Sequence, residues 1–155
     1  MPPLAAEAMV VNLLHLYAEL VDDGDFVGVS ALFHRAQVYM SGPSDNAVAG
    51  DAVGSIMQRF VRLYEGVPLT RHVITNTIVE MANDGLTATT RSYFTVIQIV
   101  AAPQIIVVGR YHDRFAIDQN SQDWHFTERI IMVDAAGDVS GHLTQSLPTN
   151  ADRPR

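Results

Sequence analysis

The sequence has no cysteine among its 155 residues. This absence excludes disulfides, thiolate nucleophiles, iron–sulfur clusters and zinc sites built on cysteine. Lysine is absent as well, since all ten basic residues are arginines. Without lysine, Schiff-base catalysis, a pyridoxal phosphate anchor and a phosphate-loop lysine are also excluded. The side chains left for chemistry are those of histidine, aspartate, glutamate, tyrosine, serine, threonine and arginine.

Long apolar runs and basic stretches are also scarce. The longest apolar run, residues 93–102, is interrupted by Gln98 and is too short to cross a bilayer, and the N-terminus lacks a basic segment. The formal net charge is −7, and the arginines are scattered along the chain, which is unfavourable for a nucleic-acid surface. We therefore expect a cytoplasmic protein that binds neither nucleic acid nor a membrane.

What is present predicts one compact domain. A hydrophobic content of 48% in 155 residues is sufficient for a single core. We place this domain at residues 1–145. The last segment, residues 146–155, is predicted to be a flexible tail because it is polar and rich in proline.

The first third of the sequence has helical spacing. Apolar residues recur at threes and fours and predict a first helix that stops at residues 22–25, where Gly24 breaks it. Asp25 is predicted to cap a short second helix that ends at Phe33. A third helix is predicted to begin at Asp51 and to end near residues 66–68. Its predicted inward-facing residues are Ile56, Phe60 and Leu63.

The rest of the sequence alternates with period two, which predicts strands. The predicted strands are residues 36–40, 69–81, 87–100, 104–117 and 123–134. Helices followed by consecutive hairpin strands predict an α+β fold, with three N-terminal helices packed on a curved antiparallel or mixed sheet. Such a sheet encloses a cone-shaped hollow, and hollows of this kind bind small ligands.

His72 lies on a largely apolar strand face. Alternation places it on the same face as Ile74, Asn76 and Ile78. Two interpretations are open, because a buried imidazole either serves as a catalytic base or is a structural residue with a hydrogen-bonding partner. Asn76 is a candidate for contacting a ligand from the same face.

Further candidates lie on the first helix and the last strands. Asp22 borders the apolar stripe of the first helix, where a carboxylate most often caps a turn or contacts solvent. Tyr17 lies within the stripe and could be core packing. Tyr111 shares a strand face with Phe115 and is predicted to point inward. Arg129, near the end of the last strand, could equally form a surface ion pair or bind substrate.

Four other histidines give no indication of a metal site. His15, His34, His125 and His142 lack the spacing of metal ligands, both among themselves and with carboxylates. We therefore predict no metal and no cofactor.

Four segments resemble the SnoaL-like group of the nuclear transport factor 2-like superfamily. They are "LYAELVDDGDFVGVSALF", "RHVITN", "GRYHDRF" and "WHFTERIIMVD", and together they extend over nearly the whole chain. The resemblance implies a cystatin-like cone. The superfamily includes enzymes, dioxygenase β subunits and plain binding proteins, so the fold leaves function open.

The resemblance also implies an active site. Scytalone dehydratase, lindane dehydrochlorinase and bile-acid 7α-dehydratase use an Asp–His pair whose positions correspond to Asp22 and His72. The bile-acid enzyme has a catalytic tyrosine that corresponds to Tyr17. Val96 stands where the two dehydratases have a further polar residue. The implied substrate-binding residues are Tyr111, Asn76, Val96, Phe94 and Met40.

The predicted function is that of a cofactor-independent lyase or isomerase. Asp22 would orient His72, which would take a proton from a hydrophobic small molecule, while Tyr17 donates a hydrogen bond. The alternative is a non-catalytic ligand-binding or assembly module related to dioxygenase β subunits.

A homo-oligomer, either dimer or trimer, is expected because the outer sheet face would otherwise expose apolar residues. These residues are Ile97, Ile99, Ile106 and Val108.

Overall fold

A computed structural model describes residues 3–43 and 46–145, so the predicted tail at 146–155 lies outside the described residues. The three helices are α1 (Pro3–Asp22), α2 (Phe26–Leu32) and α3 (Val53–Phe60). The strands are β1 (Gln37–Tyr39), β2 (Val48–Ala49), β3 (Thr70–Met81), β4 (Thr87–Gln98), β5 (Gln104–Ile117) and β6 (Trp124–Ala136). The predicted α+β fold with three helices on a mixed sheet is confirmed.

The sheet has six strands in the order β2-β1-β6-β5-β4-β3. Strand β1 runs parallel to β6, and the other neighbours are antiparallel. Register shifts interrupt the pairings β3–β4, β4–β5 and β5–β6. Each shift bends and twists the strands locally, so the sheet curves around the helices. The short strand β2 was not predicted.

Helix α1 supplies much of the core. Its apolar stripe includes Val10, Leu14, Tyr17 and Val21, each no more than 2% exposed. By length and composition alone, the segment Leu4–Asp22 is apolar enough to cross a membrane. In the structure the apolar stripe of α1 belongs to the core and packs against β3 and β6.

Helix α3 is shorter than predicted. It ends at Phe60, and Asp51 lies in a 3-10 turn before the helix instead of capping it. The predicted inward face, Ile56, Phe60 and Leu63, is only half-buried. The buried residues are Val53 and Gly54, because the first turn of α3 packs closely on α2. A Cβ on Gly54 would lie 1.9 Å from the backbone oxygen of Phe26, which explains the need for glycine.

Strand bulges overturn two predictions about which face a residue occupies. Asn76 adopts a φ of 54° at a register shift between Thr75 and Ile78. The extra residue reverses the alternation, so Asn76 and Ile78 are exposed instead of sharing the inner face with His72. Ile106 is the extra residue of the bulge in β5 and is 1% exposed, so its predicted place on the outer face is wrong.

Candidate functional site

Asp22 and His72 form a largely buried, hydrogen-bonded pair inside the cone. The His72 Nδ1 atom lies 2.6 Å from Asp22 Oδ1, and the two side chains are 7% and 11% exposed, respectively. Asp22 Oδ1 also accepts from Thr70 Oγ1 at 2.8 Å, and Oδ2 accepts from the His72 backbone N–H at 2.8 Å. With Nδ1–H donated to the carboxylate, Nε2 of the neutral ring is left to accept a proton.

The backbone around Gly24 places Asp22 against β3. Gly24 has a φ of 73°, and a Cβ there would lie 2.5 Å from the backbone oxygen of Gly66. Only glycine permits this approach, so α1 ends beside the segment that leads into Thr70 and His72. The partial negative charge at a helix C-terminus disfavours a carboxylate. The three donors to Asp22 offset this unfavourable position.

Tyr17 and Tyr111 adjoin the pair. The Tyr17 ring lies edge-on to the His72 ring at 6.3 Å and to the Tyr111 ring at 5.9 Å. Burial raises the pKa of Tyr17, while the positive charge of Arg129 and the neighbouring Tyr111 hydroxyl lower it in part. Burial also raises the pKa of Tyr111 well above its usual value. Both phenols therefore keep their protons at neutral pH.

Arg129 lies beneath these tyrosines and is fully buried, which excludes the surface ion pair considered from the sequence. Its guanidinium donates two hydrogen bonds to Asp113, at 2.7 and 2.8 Å, and both side chains are 0% exposed. The guanidinium carbon lies 4.4 Å from the Tyr17 ring centre and 4.0 Å from that of Tyr111. Asp113 and the two tyrosine rings together stabilise the positive charge of Arg129 beneath the tyrosines.

A bulge explains why simple alternation did not place Arg129. Arg114 pairs with Glu128 and Phe115 pairs with Phe126, which leaves Thr127 as an extra residue. The bulge brings Arg129 to the same face as Phe126. Asp113 lies two residues after Tyr111 and therefore on the same strand face, and an inward carboxylate is the sequence signal for a buried cationic partner.

The predicted lining residues divide into two groups. Phe94 and Val96 are 4% and 3% exposed, and Phe94 stacks on Tyr111 with a ring distance of 4.3 Å. Val96 pairs with His72 across the strands, and Met40 is half-buried against the same core. Asn76 does not reach this interior and instead borders a groove of about 490 Å³ on the outer sheet face.

Sequence reasoning missed two polar residues of the site. Thr70 is completely buried and donates a hydrogen bond to Asp22. Thr70 lies two residues before His72 on the same strand face, and this spacing could have indicated its role. His142 was considered only as a metal ligand, yet it is 8% exposed and lies close enough to His72 and Asp22 for both to shift its pKa. Its place in an irregular segment gives no sequence signal.

Large buried side chains surround the pair, among them Tyr17 and Tyr111. Four cavities lie elsewhere on the described part of the chain, and Asp22 and His72 line none of these four. Within residues 3–43 and 46–145, no group of three histidine or carboxylate side chains is arranged to hold a metal ion. The chemical capacity of this region therefore lies in one oriented imidazole, two protonated phenols and a buried cation.

The fold and these contacts define a cystatin-like cone domain with a buried carboxylate–imidazole pair. The chain belongs to the SnoaL-like domain family, whose model matches residues 2–130. No curated protein matches the chain significantly.

Solved structures share the fold. ActVI-ORFA from Streptomyces coelicolor is 22% identical, with a TM-score of 0.64 and coverage of 83% of this chain and 96% of that chain. A Novosphingobium aromaticivorans protein provisionally named a scytalone dehydratase is 19% identical, with a TM-score of 0.66 and coverage of 87% and 88%. A nuclear transport factor 2-like protein with a cystatin-like fold from that organism is 17% identical, with a TM-score of 0.67 and coverage of 89% and 87%.

Proposed function

We propose that this protein is a cofactor-independent lyase or isomerase that removes a proton from a hydrophobic, carbonyl-containing small molecule. The observation that carries this proposal is the Asp22–His72 contact, in which the carboxylate is held by three donors and fixes one imidazole tautomer. A neutral imidazole oriented in this way is a suitable base near neutral pH. Families of this fold include dehydratases and isomerases, which supports the same proposed function.

The proposed step is abstraction of a C–H proton next to a carbonyl group. The His72 Nε2 atom takes the proton, and the electron pair of the broken C–H bond moves onto the carbonyl oxygen. The Asp22 carboxylate stabilises the imidazolium that forms. Elimination of water or halide, double-bond migration and ring closure can all continue from this enolate, so the proposal specifies the first step and the substrate class.

Tyr17 is the proposed donor to the developing negative charge. The Tyr17 ring contacts the His72 ring edge-on, with 6.3 Å between the ring centres, and burial keeps the pKa of its hydroxyl above the usual value, so the hydroxyl can donate a hydrogen bond. A donor placed where charge develops contributes up to a few kcal/mol to the stabilisation of the transition state. Arg129 would assist by polarising the Tyr17 hydroxyl from below the site. Phe94, Val96, Met40 and Tyr111 would supply the apolar contacts to the substrate.

A second candidate function is a non-catalytic binding or assembly module. The observation that favours it is the close packing around the pair, since Tyr17 and Tyr111 are each 2% exposed. By the resemblance, Val96 also occupies the place of a polar residue in the dehydratases. In that case the buried polar side chains serve only as hydrogen-bonding partners for one another.

Proton exchange distinguishes the two functions. The probe is α-tetralone, a cyclic aromatic ketone, in heavy water, with loss of the proton next to the carbonyl followed by nuclear magnetic resonance. We expect the wild-type protein to accelerate exchange over buffer. His72→Gln should lower the accelerated rate at least about 100-fold, because a positioned base contributes roughly 10²–10⁴-fold.

The matched control is His112→Gln, since His112 borders the groove on the outer sheet face. This variant should exchange protons at the wild-type rate. Equal rates in the wild-type and His72→Gln proteins would contradict the proposed mechanism. Wild-type protein that accelerates no exchange with α-tetralone or with other cyclic ketones would favour the binding module.

Three further expectations stay as proposals. The partner is a hydrophobic small molecule, and neither nucleic acid nor a membrane is expected. The proposed location is the cytoplasm. A homo-oligomer, dimer or trimer, would cover apolar residues of the outer sheet face such as Tyr93 and Ile105, which are 54% and 60% exposed.

A further inference from the structure

The segment after β6 crosses one end of the cone. We call residues 137–144 the C-terminal strap. Its backbone is tied to the chain that follows α3, because Arg62 N–H donates to the His142 oxygen at 2.7 Å and Val61 bridges Leu143. The Tyr64 hydroxyl donates to the Gly141 oxygen at 2.6 Å. These bonds fix the path of the strap on both sides of His142.

His142 is the buried polar side chain of the strap. It is 8% exposed, whereas its neighbours Gly141 and Leu143 are only half-buried. Its Nδ1 atom has no hydrogen-bond partner among the described residues. A buried polar atom without a partner is unfavourable, and a ligand that supplies the partner removes this penalty.

The packing of the strap places His142 near the catalytic pair, because a Cβ on Gly141 would lie 3.4 Å from the Gln98 side chain, and Gln98 pairs with Thr70 across the strands. Burial, followed by the neighbouring His72, lowers the pKa of His142, and Asp22 raises it in part, so that the resulting pKa is about 4. His142 is therefore neutral at pH 7 and offers one N–H donor and one ring acceptor. Tyr17 and Tyr111, by contrast, already interact with each other.

We propose that His142 is a substrate-binding residue, whose Nδ1 atom hydrogen-bonds to a carbonyl or hydroxyl oxygen of a hydrophobic ligand lying between the strap and His72. This inference rests on the proposed function and adds a second polar anchor to the site. No proton is transferred to or from His142 in this role. The neutral ring fixes the position of the oxygen while His72 acts on the adjacent carbon.

The test uses a pair of ligands that differ by one hydroxyl group. α-Naphthol is an aromatic analogue of the enol of α-tetralone, and naphthalene lacks the oxygen. Dissociation constants are measured by fluorescence for the full-length wild-type, His142→Phe and His142→Asn proteins. Phenylalanine keeps an aromatic ring without polar atoms, whereas the asparagine amide can restore a donor near the position of Nδ1.

We expect His142→Phe to weaken α-naphthol binding about three- to tenfold, the loss of one neutral hydrogen bond. His142→Asn should restore most of this affinity, and naphthalene should bind equally to all three proteins. His112→Phe, on the outer sheet face, is the control and should bind both ligands as the wild type does. A purely structural role for His142 would change the affinity for both ligands together.

The outcomes separate this inference from the proposed function. Wild-type exchange of α-tetralone together with unchanged α-naphthol affinity in His142→Phe would overturn the role of His142 and leave the function standing. Selective loss of α-naphthol binding without any proton exchange would support His142 as a ligand-binding residue and contradict the proposed function. A wild-type protein that binds neither ligand would overturn the role of His142.

Discussion

At the scale of single residues, the site combines two carboxylates held in different ways. Asp22 is 11% exposed and accepts from a hydroxyl, a backbone N–H and an imidazole. Asp113 is 0% exposed and is paired with a guanidinium. The first carboxylate can therefore respond to protonation of His72. Asp113 is paired with the guanidinium of Arg129, which is always charged, and has a structural role beneath the tyrosines.

Breaking the buried pair should cost far more stability than breaking an exposed one. Arg129→Met leaves Asp113 buried without a partner, which should lower the free energy of unfolding by about 3–5 kcal/mol. Arg110 makes a similar ion pair with Asp134, but these side chains are 44% and 45% exposed. Arg110→Met should therefore cost less than about 1 kcal/mol.

Urea unfolding followed by fluorescence of Trp124, the single tryptophan, measures both changes. If the Arg129→Met protein fails to fold, its loss of stability is larger than that of Arg110→Met, as expected. Equal losses in the two variants would show that burial of the guanidinium has no energetic consequence.

At the scale of elements, the junction of α1 with β3 determines where Asp22 lies. Gly24→Ala places a Cβ at a φ of 73° and 2.5 Å from the Gly66 oxygen, so the chain must shift. We expect a loss of about 2–4 kcal/mol in the free energy of unfolding, together with slower proton exchange, because the shift separates Asp22 from His72.

Gly85→Ala is the matched control for this junction. Gly85 has a φ of 69°, but nothing lies within 4 Å of the added Cβ. The cost should be about 1 kcal/mol with unchanged exchange. Urea unfolding and the α-tetralone assay applied to both variants test the comparison, and equal effects would refute the importance of the close approach.

The elements also show how far the sequence could be interpreted. Strand β5 occupies the predicted residues 104–117, and Asp25 caps α2 through a 2.8 Å hydrogen bond to the Gly28 N–H. Alternation failed where a strand gains one residue, at Asn76 and near Arg129, because a single extra residue reverses every later side chain. The Asp22–His72 contact depends on the turn at Gly24, and helix geometry alone placed Asp22 only at the border of the stripe.

At the scale of the whole molecule, acidification should destabilise the fold through His142. Burial and His72 lower its pKa in the folded protein to about 4, against an ordinary value of 6.5. Between these values the unfolded chain binds more protons, so stability falls as the pH decreases from 6.5 to 4. The contribution lost between pH 7 and pH 5 is about 2 kcal/mol.

Urea unfolding at the two pH values, in the wild-type and His142→Asn proteins, isolates this contribution. His125, whose pKa is also lowered by burial, remains in both proteins and cancels in the comparison. We expect the wild type to lose about 2 kcal/mol more than the variant. Parallel losses in the two proteins would contradict a neutral, buried His142.

The bonds to Asp22 also join α1 to the sheet, because Thr70 and His72 both belong to β3. The same carboxylate would therefore serve both the stability of the fold and the proposed proton abstraction. Loss of Asp22 is expected to destabilise the fold even in a protein that abstracts no proton. The presence of this aspartate and histidine in a related protein is therefore not by itself a sign of activity.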